Sequence, residues 1–410
     1  MINSSLKNKN LCKVRAITAF AVLPNDETQW QNVLADAKLQ CDHIAKTLMK
    51  QGYTVQTIRI VSNPFGEYLD CQNATTAAQG LAKIRHILNQ LNQNGLRIRF
   101  AIGEAKTAHE IALLPDLIAE YGDLCNACVN IPVDEYGFLD NDLIELSVRT
   151  VEKIAQITPR GEGNFNFTVN FNCQPFIPYF PASYHHGEQG NCLVLGLETP
   201  DLLAAALREC HLPKNHAAKM RTAFVAMRDA LQFHIQQVQD IVQTVKLGDK
   251  WTYIGMDTSA APSKNCTSMT TLYELLGVPY FGASSTVEIS ALLTRVFKSL
   301  KNVPILGFSG LMLAVTEDEG LAAATRAEQF DIRALLTYSS VCGIGLDTVP
   351  IEGDTPSDKI VAIMRDTGTM AFRLNKPLTV RLFPVPNLKA GEITAFESTD
   401  LCNCAVLFVP

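Results

Sequence analysis

Short apolar runs followed by amphipathic stretches recur along this chain, and that alternation limits its fold more than any single motif. Val14–Phe20 reads as a strand; over Asp26–Met49, Trp30, Leu34, Ala37, Cys41, Ile44 and Leu48 then return at steps of three and four, the spacing of one helix face. The pattern repeats with strands at Tyr53–Val61, Arg97–Ile102 and Asn126–Pro132 and helices at Ala77–Leu91, Thr107–Tyr121 and Asp140–Ile157. Phe165–Phe171 alternates strictly, with Phe165, Phe167, Val169 and Phe171 on one face and Asn164, Asn166, Thr168 and Asn170 on the other, so one face must meet solvent or a polar cavity. Strands are also expected at Cys192–Leu197, Trp251–Asp257, Val380–Phe383 and Ala405–Phe408. A long helix carries Phe224, Met227, Leu231, Ile235, Val238, Val242 and Val245 on its buried stripe. Parallel strands need crossover helices, so the repeat predicts the α/β class. The expected architecture is an α/β barrel of about ten strands with outer helices, forming a single domain over residues 14–410 behind a loose tail at 1–13. Nothing after the first strand matches GxGxxG, which argues against two dinucleotide-binding halves.

The 47% of apolar residues can fill a large core, and the net charge of -6 is spread without a basic run that would follow a phosphate backbone. Nucleic acid is therefore not an expected partner. No run reaches the roughly 18 apolar residues of a membrane span, and Lys7, Lys9 and Lys13 precede no apolar leader core, so the expectation is a soluble, cytoplasmic protein with no membrane partner. Twelve cysteines in so long a chain read mainly as small buried hydrophobes. Cys125 with Cys128 and Cys402 with Cys404 form two pairs that a four-thiolate zinc site would use, but strand alternation alone puts the second pair on one face.

Four polar clusters fall at expected strand ends, where α/β sheets place ligands. One is Tyr184-His185-His186-Gly187-Glu188, in which adjacent histidines point opposite ways unless the loop bends. Another is Asp257-Thr258-Ser259, where the carboxylate can ligate a metal, act as a base or hold a turn. Glu317-Asp318-Glu319 precedes an Ala-rich helix and complements its positive end. The densest is Tyr338–Pro350, read as a short strand opening into a loop, with Cys342 as a nucleophile or an inert core thiol, Asp347 five residues on, and Gly343 and Gly345 for close backbone approach or positive φ. Arg373, Lys376, Arg381 and Lys389 supply cations for an anionic ligand, or are simply solvated.

The order of Tyr184-His-His-Gly, Gly255-Met-Asp-Thr-Ser-Ala-Ala-Pro, Thr316-Glu-Asp-Glu-Gly, Val341-Cys-Gly-Ile-Gly-Leu-Asp-Thr-Val-Pro and Val380-Arg-Leu-Phe-Pro-Val-Pro resembles the family called domain of unknown function 711. The resemblance runs from Val14 to the end. It implies a barrel similar to that of glycyl-radical enzymes such as pyruvate formate-lyase, with the Cys342 loop in the place of their catalytic cysteine loop. The Arg-Val-x-Gly-Tyr motif of those enzymes has no counterpart here; the last forty residues offer only Gly391.

The expected function is an enzyme acting on a small polar metabolite inside the barrel. Catalysis is assigned to Cys342, Asp347, His185 and Asp257, and substrate contacts to Ser259, Glu317, Gly343 and Arg381. A divalent metal held by His185 or His186 with Asp257, Asp318 or Glu319 would polarise a carbonyl or activate water; thiol chemistry at Cys342 is the second route. A metabolite sensor using the same groups without turnover is the alternative, and a homo-oligomer stays open.

Overall fold

The computed structural model describes residues 2–410. Nine strands share one sheet: β1 (Lys13–Ala21), β2 (Val55–Ser62), β3 (Ile98–Glu104), β4 (Asn126–Ile131), β5 (Phe167–Phe171), β6 (Asn191–Glu198), β7 (Trp251–Asp257), β8 (Gly345–Glu352) and β9 (Leu378–Val385). Their order is β7-β6-β1-β2-β3-β4-β5-β9-β8. Strands β1 to β5 are mutually parallel, and the pairs β6–β7 and β8–β9 flank them antiparallel. The crossovers are α1 (Trp30–Lys50), α2 (Ala74–Leu91), α3 (Ala108–Tyr121) and α4 (Asn141–Ile157), then α5 (Pro200–Glu209), α6 (His216–Gln243), α7 (Met269–Leu275), α8 (Thr286–Lys298), α9 (Glu319–Arg326), α10 (Ile332–Ser339) and α11 (Ser357–Arg373).

Strand alternation divides the buried side chains between two faces. Ile17, Ala19, Ile60 and Phe100 meet the helices in the main core, while their neighbours Phe20, Val61 and Ala101 join Phe176, Cys192 and Val194 in a second cluster on the opposite face. That inner face is filled by the loop after β5. The Pro178 carbonyl accepts from Thr18 Oγ1 at 3.1 Å and Arg59 Nη1 at 3.3 Å, and the Ala182 carbonyl from Asn170 Nδ2 at 3.2 Å. The Tyr179 hydroxyl both donates to the Leu197 carbonyl and accepts from the Leu197 amide.

The structure departs from the sequence expectation in four places. The sheet is a nine-stranded open ladder rather than a closed ten-stranded one. Between its edges runs the segment 304–316, which touches β7 through Met256–Ile305 and β8 through Ala314–Asp347 as single bridges. Gly307 at φ +66° and Ser309 at φ +39° interrupt the extended backbone between the two bridges, so the segment forms no continuous ladder with either strand. Ala405–Phe408 likewise makes only isolated bridges, to Ile351 and Ile393. Around Cys342 the order is reversed: α10 ends, residues 340–344 turn, and the strand begins at Gly345, whose φ of +101° and packing against the Thr379 carbonyl leave no room for a side chain. Ahead of β1, where a loose tail is expected, the chain makes two 3-10 turns that bury Leu6, and the Leu6 carbonyl accepts from His234 at 2.8 Å.

Candidate functional site

Parallel strands covered on both faces ordinarily run apolar throughout, yet β1, β2 and β3 carry Arg15, Arg59 and Arg99 toward the inner face, with Arg59 and Arg99 paired in register. All three line a vestibule of about 880 Å³, together with Arg97, Asn126, Phe165, Lys264, Glu317, Arg381 and Asp400. Behind it lies a smaller chamber of about 60 Å³, lined by Thr168, Pro181, Ala182, Ala261, Met312, Ala314, Ile344 and Asp347. Arg15, Arg59, Phe180, Glu317 and Arg381 border both spaces and so form the neck between them.

The acids around these spaces are paired. Arg381 donates through Nε to Asp347 Oδ1 at 2.7 Å and through Nη2 to Glu317 Oε1 at 2.6 Å, with its guanidinium over the Phe165 ring. Arg15 is 3.1 Å from Glu198 and 3.9 Å from Glu317; Arg99 grips Asp400 with two bonds of 3.0 and 3.3 Å. Asp123 pairs with Arg85 and Glu162 with Arg160. Burial works against the charge on Arg381, but its two carboxylates outweigh that and hold its pKa above the ordinary range. Glu317 moves up as well: burial is the main cause, Asp347 adds to it, and Arg381 and Arg15 offset only part.

Arg59 has no such partner. It is 9% exposed, its Nε has no hydrogen-bond partner, and among the described residues no carboxylate lies within ion-pair distance. Its contacts are the Pro178 carbonyl and the face of Phe180, 4.9 Å from the ring centre. Burial, followed by repulsion from Arg15 and Arg99, pushes its guanidinium down to about 9. A buried cation with an unused donor, bordering a cavity, has the chemistry to pair with an anion.

Of the residues expected from sequence, Glu317, Asp347 and Arg381 meet here. The others do not. Cys342 is buried in the main core, where its sulfur accepts from the Gly345 amide at 3.3 Å and its carbonyl accepts from the buried Lys376 ammonium. Gly343 serves close approach, but to backbone: a Cβ there would stand 2.7 Å from the Gly310 Cα. Ser259 accepts from the Gly310 amide. Asp257 accepts from the amides of Ser259, Phe308 and Ser309 at 2.9, 2.7 and 3.1 Å and so ties the bridging segment to β7; burial lifts its carboxyl to about 6. Asp318 caps α9 and takes the Met269 amide. Glu319 is outside, near Arg326.

The histidines sit elsewhere. His185 is buried between Phe20 and Phe176, with Nε2 on the Val61 carbonyl and Nδ1 accepting from the Gly187 amide, and burial pushes it down to about 4. His186 is 2.6 Å from Glu104. The donors proposed for a metal are thus each committed to a different partner, and no group of three or more His, Cys, Asp or Glu side chains suited to a metal ion occurs among the described residues. Cys125, Cys128, Cys402 and Cys404 are free buried thiols.

Among the described residues no helix is long and apolar enough to cross a membrane. A UPF0210 protein of Pyrobaculum arsenaticum is 27% identical over 363 residues, covering 85% of this chain and 77% of its own length. UPF0210 protein NMB1652 of Neisseria meningitidis serogroup B is 27% identical over 294 residues, and there the chain spans only 63% of the relative. A UPF0210 protein of Carboxydothermus hydrogenoformans is 24% identical over 385 residues, 87% of this chain and 83% of its own. Residues 5–397 match the profile described as Uncharacterised ACR (DUF711), and the chain belongs to that family.

Proposed function

We propose that this protein is an enzyme that takes a small anionic metabolite from the vestibule and holds its anionic group at Arg59. The reading rests on one observation, the buried Arg59 guanidinium that opens on the neck without a carboxylate. Glu317 is the group we assign to proton transfer. Its Oε1 is fixed by Arg381, its Oε2 lies 3.9 Å from Arg15 and makes no hydrogen bond, and burial raises its affinity for a proton. Arg15 and Arg381 position Glu317, and Asp347 positions Arg381.

A barrel similar to that of the glycyl-radical enzymes is supported by the contacts of the segment 304–316 with both edge strands. The thiol route draws no support from the place of Cys342 in the core, and the His and Asp side chains do not fit one metal, so no step is routed through either. The sensor alternative is favoured by a different feature, the turn Ser398–Asp400, which borders the vestibule and is held by Arg99. Equilibrium dialysis against a mixture of small organic acids and phosphate esters, read by mass spectrometry, tests the proposal. The native chain should retain and convert one acid, Arg59→Met should retain none, and Glu317→Gln should retain the acid without converting it. Retention by Arg59→Met would end the reading, and retention by the native chain without conversion would favour the sensor.

A further inference from the structure

We infer that the ligand is a carboxylate of two or three carbons carrying a hydrogen-bond donor, a hydroxyl or an ammonium, next to its carboxyl group. This rests on the anion-binding reading of Arg59 and adds what the small chamber selects.

The first observation is size. A cavity of 150 Å³ accommodates benzene, so a chamber of about 60 Å³ holds about two or three non-hydrogen atoms beyond the neck. Pro181, Ala182, Ala261 and Ala314 are part of its wall, and three of these are already as small as a residue with a side chain can be. With the carboxylate at Arg59, the chamber takes the second carbon and its substituents and nothing longer.

The second observation is the sign of the polar wall. Asp347 Oδ1 is used by Arg381, whereas Oδ2 takes no hydrogen bond among the described residues and belongs to a side chain lining the chamber. Glu317 Oε2 is in the same position at the neck. Two carboxylate oxygens with spare acceptor capacity reward a donor on the ligand and leave an alkyl group or a second anion unrewarded. Arg59 offers donors and this wall offers acceptors around the same chamber, which is the polarity of a 2-hydroxy or 2-amino acid read from its carboxyl end.

Titration calorimetry on the full chain, with defined probes, tests this. L- and D-lactate, L-alanine, propanoate, acetate, 2-hydroxyoctanoate and inorganic phosphate are compared. Lactate or alanine should bind about tenfold more tightly than propanoate, the value of one well-made hydrogen bond to a charged group, and whichever of the two wins identifies hydroxyl or ammonium. 2-Hydroxyoctanoate should bind at least tenfold more weakly than lactate. Ala182→Leu, checked for an unchanged unfolding midpoint, should keep acetate binding and lose lactate binding. Equal binding of propanoate and lactate, tight binding of 2-hydroxyoctanoate, or tightest binding by phosphate would each overturn the inference while leaving an Arg59-dependent anion site in place. Failure of every anion to bind, with Arg59→Met indistinguishable from the native chain, would remove the site itself.

Discussion

Arg59 and Arg99 are register partners across the parallel pair β2–β3, yet only Arg99 is neutralised, by Asp400 from a turn 301 residues away in sequence. The inequality is the most informative electrostatic fact about the inner face. Asp400 is itself partly buried, which favours its proton, but Arg99 and then Arg15 and Arg59 more than offset this and hold its carboxyl below the usual range. Replacing Asp400 with Asn should therefore leave two adjacent uncompensated guanidiniums. The expected outcome is tighter binding of small anions by about threefold to tenfold, at a cost of about 1 kcal/mol in stability, measured by calorimetry and urea denaturation.

Arg59→Met should stabilise the fold. A buried guanidinium without a carboxylate partner carries a desolvation penalty of several kcal/mol, which an apolar residue of similar size does not. The melting temperature should rise in the absence of ligand. Adding a binding anion should raise it for the native chain and leave the variant unmoved.

Stability should depend on pH through buried groups of opposite sign, of which Asp257 and His185 are the clearest. Asp257 is raised from 3.8 to about 6, so the folded state keeps a proton that the unfolded chain releases; its contribution is present below pH 4 and is lost as pH rises through 6. His185 is lowered from 6.5 to about 4, so the folded state refuses a proton that the unfolded chain takes; its contribution is present above pH 6.5 and is lost as pH falls through 4. Each is worth about 3 kcal/mol across its window. In urea titrations at pH 4 to 7, Asp257→Asn should leave stability climbing with pH, and His185→Gln should leave it falling.

Cys342→Ser should destabilise by about 1–3 kcal/mol, because a hydroxyl replaces a thiol in the main core. Anion binding should not change. A variant that lost activity at native stability would return the sulfur to the chemistry.

The α/β class was legible because periodicity reports burial: Trp251–Asp257 is a strand with the bounds expected, and α3 and α4 begin one residue after the expected starts, at caps supplied by Thr107 and Asp140. Phe167, Val169 and Phe171 do alternate with Thr168 and Asn170, and Thr168 reaches the chamber; Asn164 and Asn166 instead bond the Val151 and Gly122 carbonyls ahead of the strand. The open ladder was not legible, since nothing in an apolar run such as Leu311–Val315 announces that nearby glycines will tilt it out of register. Around the candidate site, composition pointed to Glu317, Asp347 and Arg381, which line it, and not to Arg15, Arg59 and Arg99, which line it too. The available signal was an arginine inside each of three consecutive strands that should be apolar throughout. Asp257 and Asp318 misled because a carboxylate that gathers backbone amides and one that gathers a metal look alike until the amides are placed.

The most direct test of the central claim is an anomalous difference map from crystals of the native chain and of Arg59→Met soaked in sodium bromide. A strong buried peak is expected at the neck, within about 3.5 Å of the Arg59 guanidinium, in the native crystals, with its loss in the variant. A neck without bromide in the native crystals, with exposed lysines and arginines occupied, would contradict it.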